Sequence, residues 1–129
     1  MIPKLSKIHL LMERADFQYI ASELVDYYNL KSKVTMGSRN DGDYDFDRDV
    51  ILLRKNYPSV EEFIVSVLHE IHHAVQRKKF GLKKFLKKYN QAGNMADLYG
   101  KDRYLHNKWE RKAENWAKQE YRKKWKNKF

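Results

Sequence analysis

The chain has no cysteine, only two prolines and only five glycines. Without cysteine there are no disulfides, thiolate nucleophiles or cysteine-ligated metal or cluster sites, so a metal would have to be held by histidine and carboxylate. With so few breakers, no low-complexity stretch and no internal repeat, nothing marks an internal boundary, and residues 1–129 read as one domain. Apolar runs are short as well. None approaches the roughly 20 residues that cross a bilayer. The first residues also lack the apolar stretch and small-residue cleavage site of a secretory leader, so no membrane partner and a cytoplasmic location are expected.

Acidic side chains are in deficit: 17 Asp and Glu face 27 Lys and Arg, a formal charge of +10. The excess gathers in Arg77-Lys78-Lys79, Lys83-Lys84, Lys87-Lys88 and Arg122-Lys123-Lys124, whereas residues 40–49 are acidic. Such a surface draws polyanions, nucleic acid first among them. A solubilising face on basic helices has the same composition, however, and no nucleic-acid-binding motif accompanies the charge. What is plentiful is hydrophobic material, 42% of residues with 14% aromatic, enough for a packed core.

Periodicity divides the chain into elements. Residues 7–12 read as a strand or helical lead-in, with strand preferred. From Asp16 to Asn29, Phe17, Ile20, Leu24 and Tyr28 recur at helical spacing, with Ala21 and Tyr27 filling the stripe. Val34 to Met36 reads as extended, Asn40-Asp41-Gly42 as a tight turn, and Tyr44 and Phe46 alternate with aspartates, which predicts a hairpin continued by a buried strand at Val50 to Leu53. The five aspartates at alternate positions from Asp41 to Asp49 invite a calcium reading. An EF-hand loop counted from Asp41 needs glycine sixth and glutamate twelfth, where Phe46 and Leu52 stand, so a solvated strand face is expected instead.

Ser59 and Glu62 form a capping box opening a helix that runs to about Lys79, with Gly81 as its stop and Val60, Ile64, Val67, Leu68, Ile71 and Val75 as its apolar stripe. Leu82, Phe85, Leu86 and Tyr89 predict a basic amphipathic helix. Gln91 to Arg103, broken by Gly93 and Gly100, reads as loop-rich, and Trp109, Ala113, Trp116, Ala117 and Tyr121 mark a last helix from about Asn107. The expected organisation is a strand- and helix-bearing part over 1–58, the capped helix over 59–79 and a helical basic part over 82–129.

The capped helix carries His69-Glu70-Ile71-His72-His73, and so a His-Glu-x-x-His motif. A four-residue separation stacks His69 and His73 on one face, nearly opposite the apolar stripe, where two imidazole nitrogens can reach one tetrahedral ion. Glu70 stands beside them, placed to take a proton from water activated at a metal, while His72 points elsewhere and reads as a packing or surface residue. The motif arises by chance in roughly one chain in a hundred of this composition, so its context must decide. A hydrolytic zinc site needs a third protein ligand, here His, Asp or Glu. Glu110 and Glu114 sit four residues apart on the last helix, where their repulsion would be relieved by a cation: a metal, a polarised histidine, or Lys118.

These residues resemble a zincin metallopeptidase of the gluzincin kind, and specifically the ImmA/IrrE-type metallopeptidases common in phages, mobile elements and bacteria. In that family a helix with His-Glu-x-x-His is followed by one with a Glu-x-x-Ala-(Asn or acidic)-x-(aromatic)-Ala pattern, which Glu110, Ala113, Glu114, Trp116 and Ala117 match. The resemblance implies an α+β, zincin-like fold with a small mixed or antiparallel sheet packed on the active-site helix and a helical C-terminal half. It implies Zn2+ on His69, His73 and Glu110, Glu70 as catalytic base, Glu114 in support behind the ligands, a protein or peptide substrate, and a host cytoplasm for a phage-borne copy. The family more often has glycine where His72 stands, and the segment from Ala74 to Trp109 is long for it, which predicts a basic insertion. Tyr104, His106 and Tyr99 are candidate donors to an oxyanion, and the extended Tyr44 to Leu53 segment a candidate edge for substrate backbone. The competing expectation is a nucleic-acid-associated protein with a structural or degenerate zinc site, its basic residues interleaved with Trp109, Trp116, Tyr121 and Trp125.

Overall fold

The structure, a computed structural model, describes residues 14–37, 43–54 and 56–128, with side chains from Phe17 onward. The strand expected at 7–12 and the turn at Asn40-Asp41-Gly42 lie outside those residues. Among the described residues the fold is α+β: four α-helices and a three-stranded mixed sheet. None of these helices is long and apolar enough to cross a membrane.

Helix α1, Arg14–Tyr27, buries Ile20, Ala21, Leu24 and Val25 and ends where Asn29 adopts a left-handed φ of 58°. Tyr27, expected in the stripe, is exposed, and Val25 takes an inward place instead. The sheet comprises β1 (Lys33–Met36), β2 (Asp43–Asp45) and β3 (Val50–Leu53), in the order β1-β3-β2. β3 runs parallel to β1, with Val34 opposite Ile51, and antiparallel to β2, with Tyr44 opposite Ile51.

The hairpin is thus β2–β3, and its turn is residues 46–49. Asp45 Oδ1 accepts from the amides of Asp47 and Arg48, each at 3.0 Å, and Asp49 takes a φ of 56° that closes the loop. The solvated strand face expected of the aspartates is met at Asp43, exposed on β2 beside buried Tyr44, whereas Asp47 and Asp49 lie in the turn. Asp45 caps the turn, and Asp49 accepts from the hydroxyls of Ser32 and Tyr44 beneath the sheet.

Helix α2, Val60–Phe80, starts as expected: Ser59 Oγ accepts from the Glu62 amide at 3.1 Å, and Gly81, φ 82°, stops the helix one residue later than predicted. Its stripe packs Ile64, Val67, Leu68 and Ile71 against Tyr44, Ile51, Leu53 and α1, with Phe63 and Ala74 joining the core and Val75 left exposed. Helix α3, Leu82–Leu98, overturns the loop-rich expectation for 91–98, while residues 99–103 are non-helical as expected. Gly93 lies inside the helix with Arg103 folded over it: a Cβ there would sit 3.0 Å from Arg103 Nη2. Helix α4, Lys108–Glu120, packs on α2 more extensively than any other element does, and a π-helical turn, Tyr121–Trp125, follows it. The C-terminal part is tied to α1, where Tyr28 donates to Glu120 at 2.9 Å and receives from Trp125 Nε1 at 3.0 Å. Trp109 and Tyr121 are buried, and Trp116 and Trp125 lean on the core, so these four rings are packing material rather than a stacking surface.

Candidate metal centre

α4 reaches the histidine face of α2 through a buried clamp at its start. Asn107, fully buried, accepts from the Trp109 amide at 2.9 Å and donates through Nδ2 to the Tyr89 carbonyl at 3.1 Å. Trp109 Nε1 donates to the Lys88 carbonyl at 3.3 Å. Together they fix the first turn of α4 against α3, and that turn carries Glu110.

Glu110 Oε1 then lies 2.8 Å from His69 Nε2 and 2.6 Å from His73 Nε2, and the two nitrogens are 3.2 Å apart. A triangle with those sides has a circumscribed radius smaller than the roughly 2.0–2.1 Å of a zinc–nitrogen bond, so a point at bonding distance from all three atoms exists just off their plane. All three side chains are buried, His73 to 2% exposure.

The outer nitrogens show what these atoms can accept. His73 Nδ1 lies 2.9 Å from Gln76 Oε1, an acceptor that favours a proton on that nitrogen and leaves Nε2 as the one facing Glu110. His69 Nδ1 faces Glu114 Oε1 at 3.7 Å, too long for a hydrogen bond but close enough for the carboxylate to favour a proton on that nitrogen. On Glu110, the second oxygen receives a short hydrogen bond from the Tyr89 hydroxyl, which leaves Oε1 to face the histidines. Two ring nitrogens and one carboxylate oxygen therefore converge on one point. Either a proton on His69 or a metal ion between the members satisfies such a set, whereas protonating both rings would oppose two N–H groups across 3.2 Å. A divalent ion satisfies all three at once, so the donor set fits zinc.

The electrostatics express the same demand. Burial lowers the basicity of His69, yet its contacts with Glu110 and Glu114 outweigh that and push it up to about 10. Against burial, His69 and His73 hold Glu110 well below the usual carboxylate range. Glu70 is pushed up to about 7 by burial, opposed by the fields of His69 and His73. No hydrogen bond or ion pair engages its carboxylate among the described residues, which leaves both oxygens available for water. His72 is pushed down to about 4 by burial and lies 5.0 Å from the Trp116 ring, packed away from the centre.

The three candidate oxyanion donors separate. Burial and then the fields of Glu110 and Glu70 raise the hydroxyl of Tyr104, half-exposed, far above its usual range, which keeps it a protonated donor. Tyr99 and His106 line a different cleft, between α3 and α4. β3 is paired on both sides, so within Tyr44 to Leu53 the sheet edge belongs to β2, where Phe46 follows directly and its ring lies 5.8 Å from that of His73.

Gln76 and Tyr89 were not foreseen. Gln76 had a signal, since three residues beyond His73 falls on the same helical face. Tyr89 had none, because beside Phe85 it reads as core. The long segment between the two motifs is thus α3 and its following turn, and it contributes Tyr89 to the centre. No protein-family model, curated protein or solved structure matches this chain.

Proposed function

We propose that the chain is a zinc-dependent metallopeptidase of the zincin kind, acting on a protein or peptide in the cytoplasm. The reading rests on one observation: two imidazole nitrogens and a carboxylate oxygen face one point, with an unengaged carboxylate, Glu70, on the next residue of the same helix. His69, His73 and Glu110 would hold the zinc, and Glu114 and Gln76 would orient the two rings. When bound, zinc polarises a scissile carbonyl and acidifies water. Glu70 accepts the water's proton and passes it to the leaving amine. Tyr104 donates its hydroxyl proton in a hydrogen bond to the oxyanion, and the outer edge of β2 pairs with the substrate backbone.

Metal analysis and a protease assay on an unfolded protein substrate test the reading. Wild type reconstituted with zinc is expected to carry one equivalent and to cleave. Glu110→Ala should lose the metal, whereas Glu70→Gln should keep it and lose at least about 10³-fold in rate, within the range ascribed to general-base catalysis. Full proteolysis by Glu70→Gln would overturn the mechanism. Zinc bound stoichiometrically by an inactive wild type would point instead to a structural site.

A further inference from the structure

A second concavity, about 440 Å³ in volume, lies between α3 and α4. Lys88, Lys101, Lys108 and Arg111 line it, joined by His106, and no carboxylate does. Between residues 82 and 112 the acids are Asp97, Asp102 and Glu110, and all are engaged elsewhere. Asp97 pairs with Arg103 at 3.0 Å, Asp102 accepts from the amides of Tyr104 and Leu105, and Glu110 faces the histidines. None of the four cations makes an ion pair or a side-chain hydrogen bond among the described residues. Rings hold two of them instead: Lys88 stands 5.5 Å over Phe80 and Lys108 5.2 Å over Trp109. Like charges gathered around a concavity focus a positive potential within it.

The rest of the lining narrows the anion. Tyr99, 74% exposed, offers a free ring face at the rim, and Gln91 offers a side-chain amide. We propose that this cleft binds single-stranded nucleic acid, its cations taking successive phosphates and Tyr99 stacking on a base. Inorganic phosphate would leave the ring unused, and an acidic peptide carries no base to stack on it. A duplex is read by elements that project into its grooves, whereas a pocket with an exposed ring receives an unstacked base. The volume lies in the range of small-ligand pockets, roughly 300–1,000 Å³. Lys84 and Lys87, exposed on α3, extend the positive track beyond the cleft. The stacking role expected of the four core aromatics passes to Tyr99.

Fluorescence anisotropy with a labelled twelve-nucleotide oligothymidylate, titrated across salt concentrations, tests this. Four neutralised phosphates predict a slope of log K against log salt of about −3, at about 0.7 per phosphate on a single strand. The triple substitution Lys101→Ala/Lys108→Ala/Arg111→Ala, all at exposed positions, should weaken binding at least about tenfold and flatten the slope by about two. Tyr99→Ala should cost about tenfold with the slope unchanged, because stacking releases no counterions. The control Lys31→Ala/Lys33→Ala, in and before β1, should bind as wild type. Overturning results are no binding by wild type, wild-type affinity in the triple variant, an equal loss in the control, tighter binding of the matching duplex, or displacement by polyglutamate at equal chain concentration. The assay reads neither metal nor turnover, so its outcome and that of the peptidase assay are independent.

Discussion

Gln76 decides which nitrogen of His73 is free. Its side-chain oxygen accepts at Nδ1, which leaves Nε2 as the nitrogen facing Glu110. Gln76→Leu keeps the volume and removes the acceptor, so zinc affinity, measured by competition with a chromogenic chelator, is expected to fall about 10- to 100-fold. The ring N–H left unpaired should also cost about 1–3 kcal/mol of stability in metal-free protein. Gln76→Glu, which retains an acceptor, should restore most of the affinity, and unchanged affinity in the leucine variant would remove Gln76 from the centre. Tyr89 acts on the other partner by donating to the outer oxygen of Glu110. At this scale His69, Glu70 and His73 were legible from spacing alone, because a helix repeats every 3.6 residues. Tyr89 was not, since nothing in an apolar stripe tells a ring that fills the core from one whose hydroxyl reaches a carboxylate on another helix.

The start of α2 is set locally, and its cap is measurable. Ser59→Ala removes the acceptor for the Glu62 amide and is expected to cost about 1 kcal/mol, read as a lower urea midpoint with an unchanged slope. The turn carrying Tyr104 depends in the same way on Asp102, whose carboxylate accepts from the Leu105 and Tyr104 amides and is held below its ordinary 3.8. A carboxylate with a lowered folded value stabilises fully above its unfolded value, and that contribution disappears as pH falls through the folded one. Amide exchange at Tyr104 and Leu105 should therefore accelerate below about pH 3.8, relative to exchange in α2, and Asp102→Ala should show the same acceleration at neutral pH. If the two amides exchange alike in wild type and variant, the cap is not what holds the turn. Element boundaries were readable where a cap marks them, at Ser59 and Gly81. They failed in α3, where Gly93 resembles a break but lies within the helix, covered by Arg103 from the turn that follows.

For the whole molecule, the centre joins α2 to α4 across the intervening helix α3, so a bound ion should stabilise the fold as a unit. Zinc at 100 times its dissociation constant is expected to add about 2.7 kcal/mol to unfolding. For a chain of this size that is roughly 8 °C in Tm, by calorimetry. EDTA should reverse the shift and Glu110→Ala should not show it, whereas an equal shift in that variant would place the ion elsewhere. The parallel pairing of β1 with β3 also belongs to this scale: alternation identified strands, but their order follows from how the β2–β3 turn folds back. By itself the sequence determined helices α1, α2 and α4, the start of α3, the cap, the two facing imidazoles and the excess of positive charge, because each depends on neighbours within about one helical turn or on counting residues. Only the tertiary structure decided that Glu110 completes the set, that Tyr89 and Gln76 hold it, and that the unpaired lysines surround a cleft. The physical reason is that convergence depends on the packing of α4 against α2 and α3, fixed by Asn107, Trp109 and a shared core that no local pattern encodes.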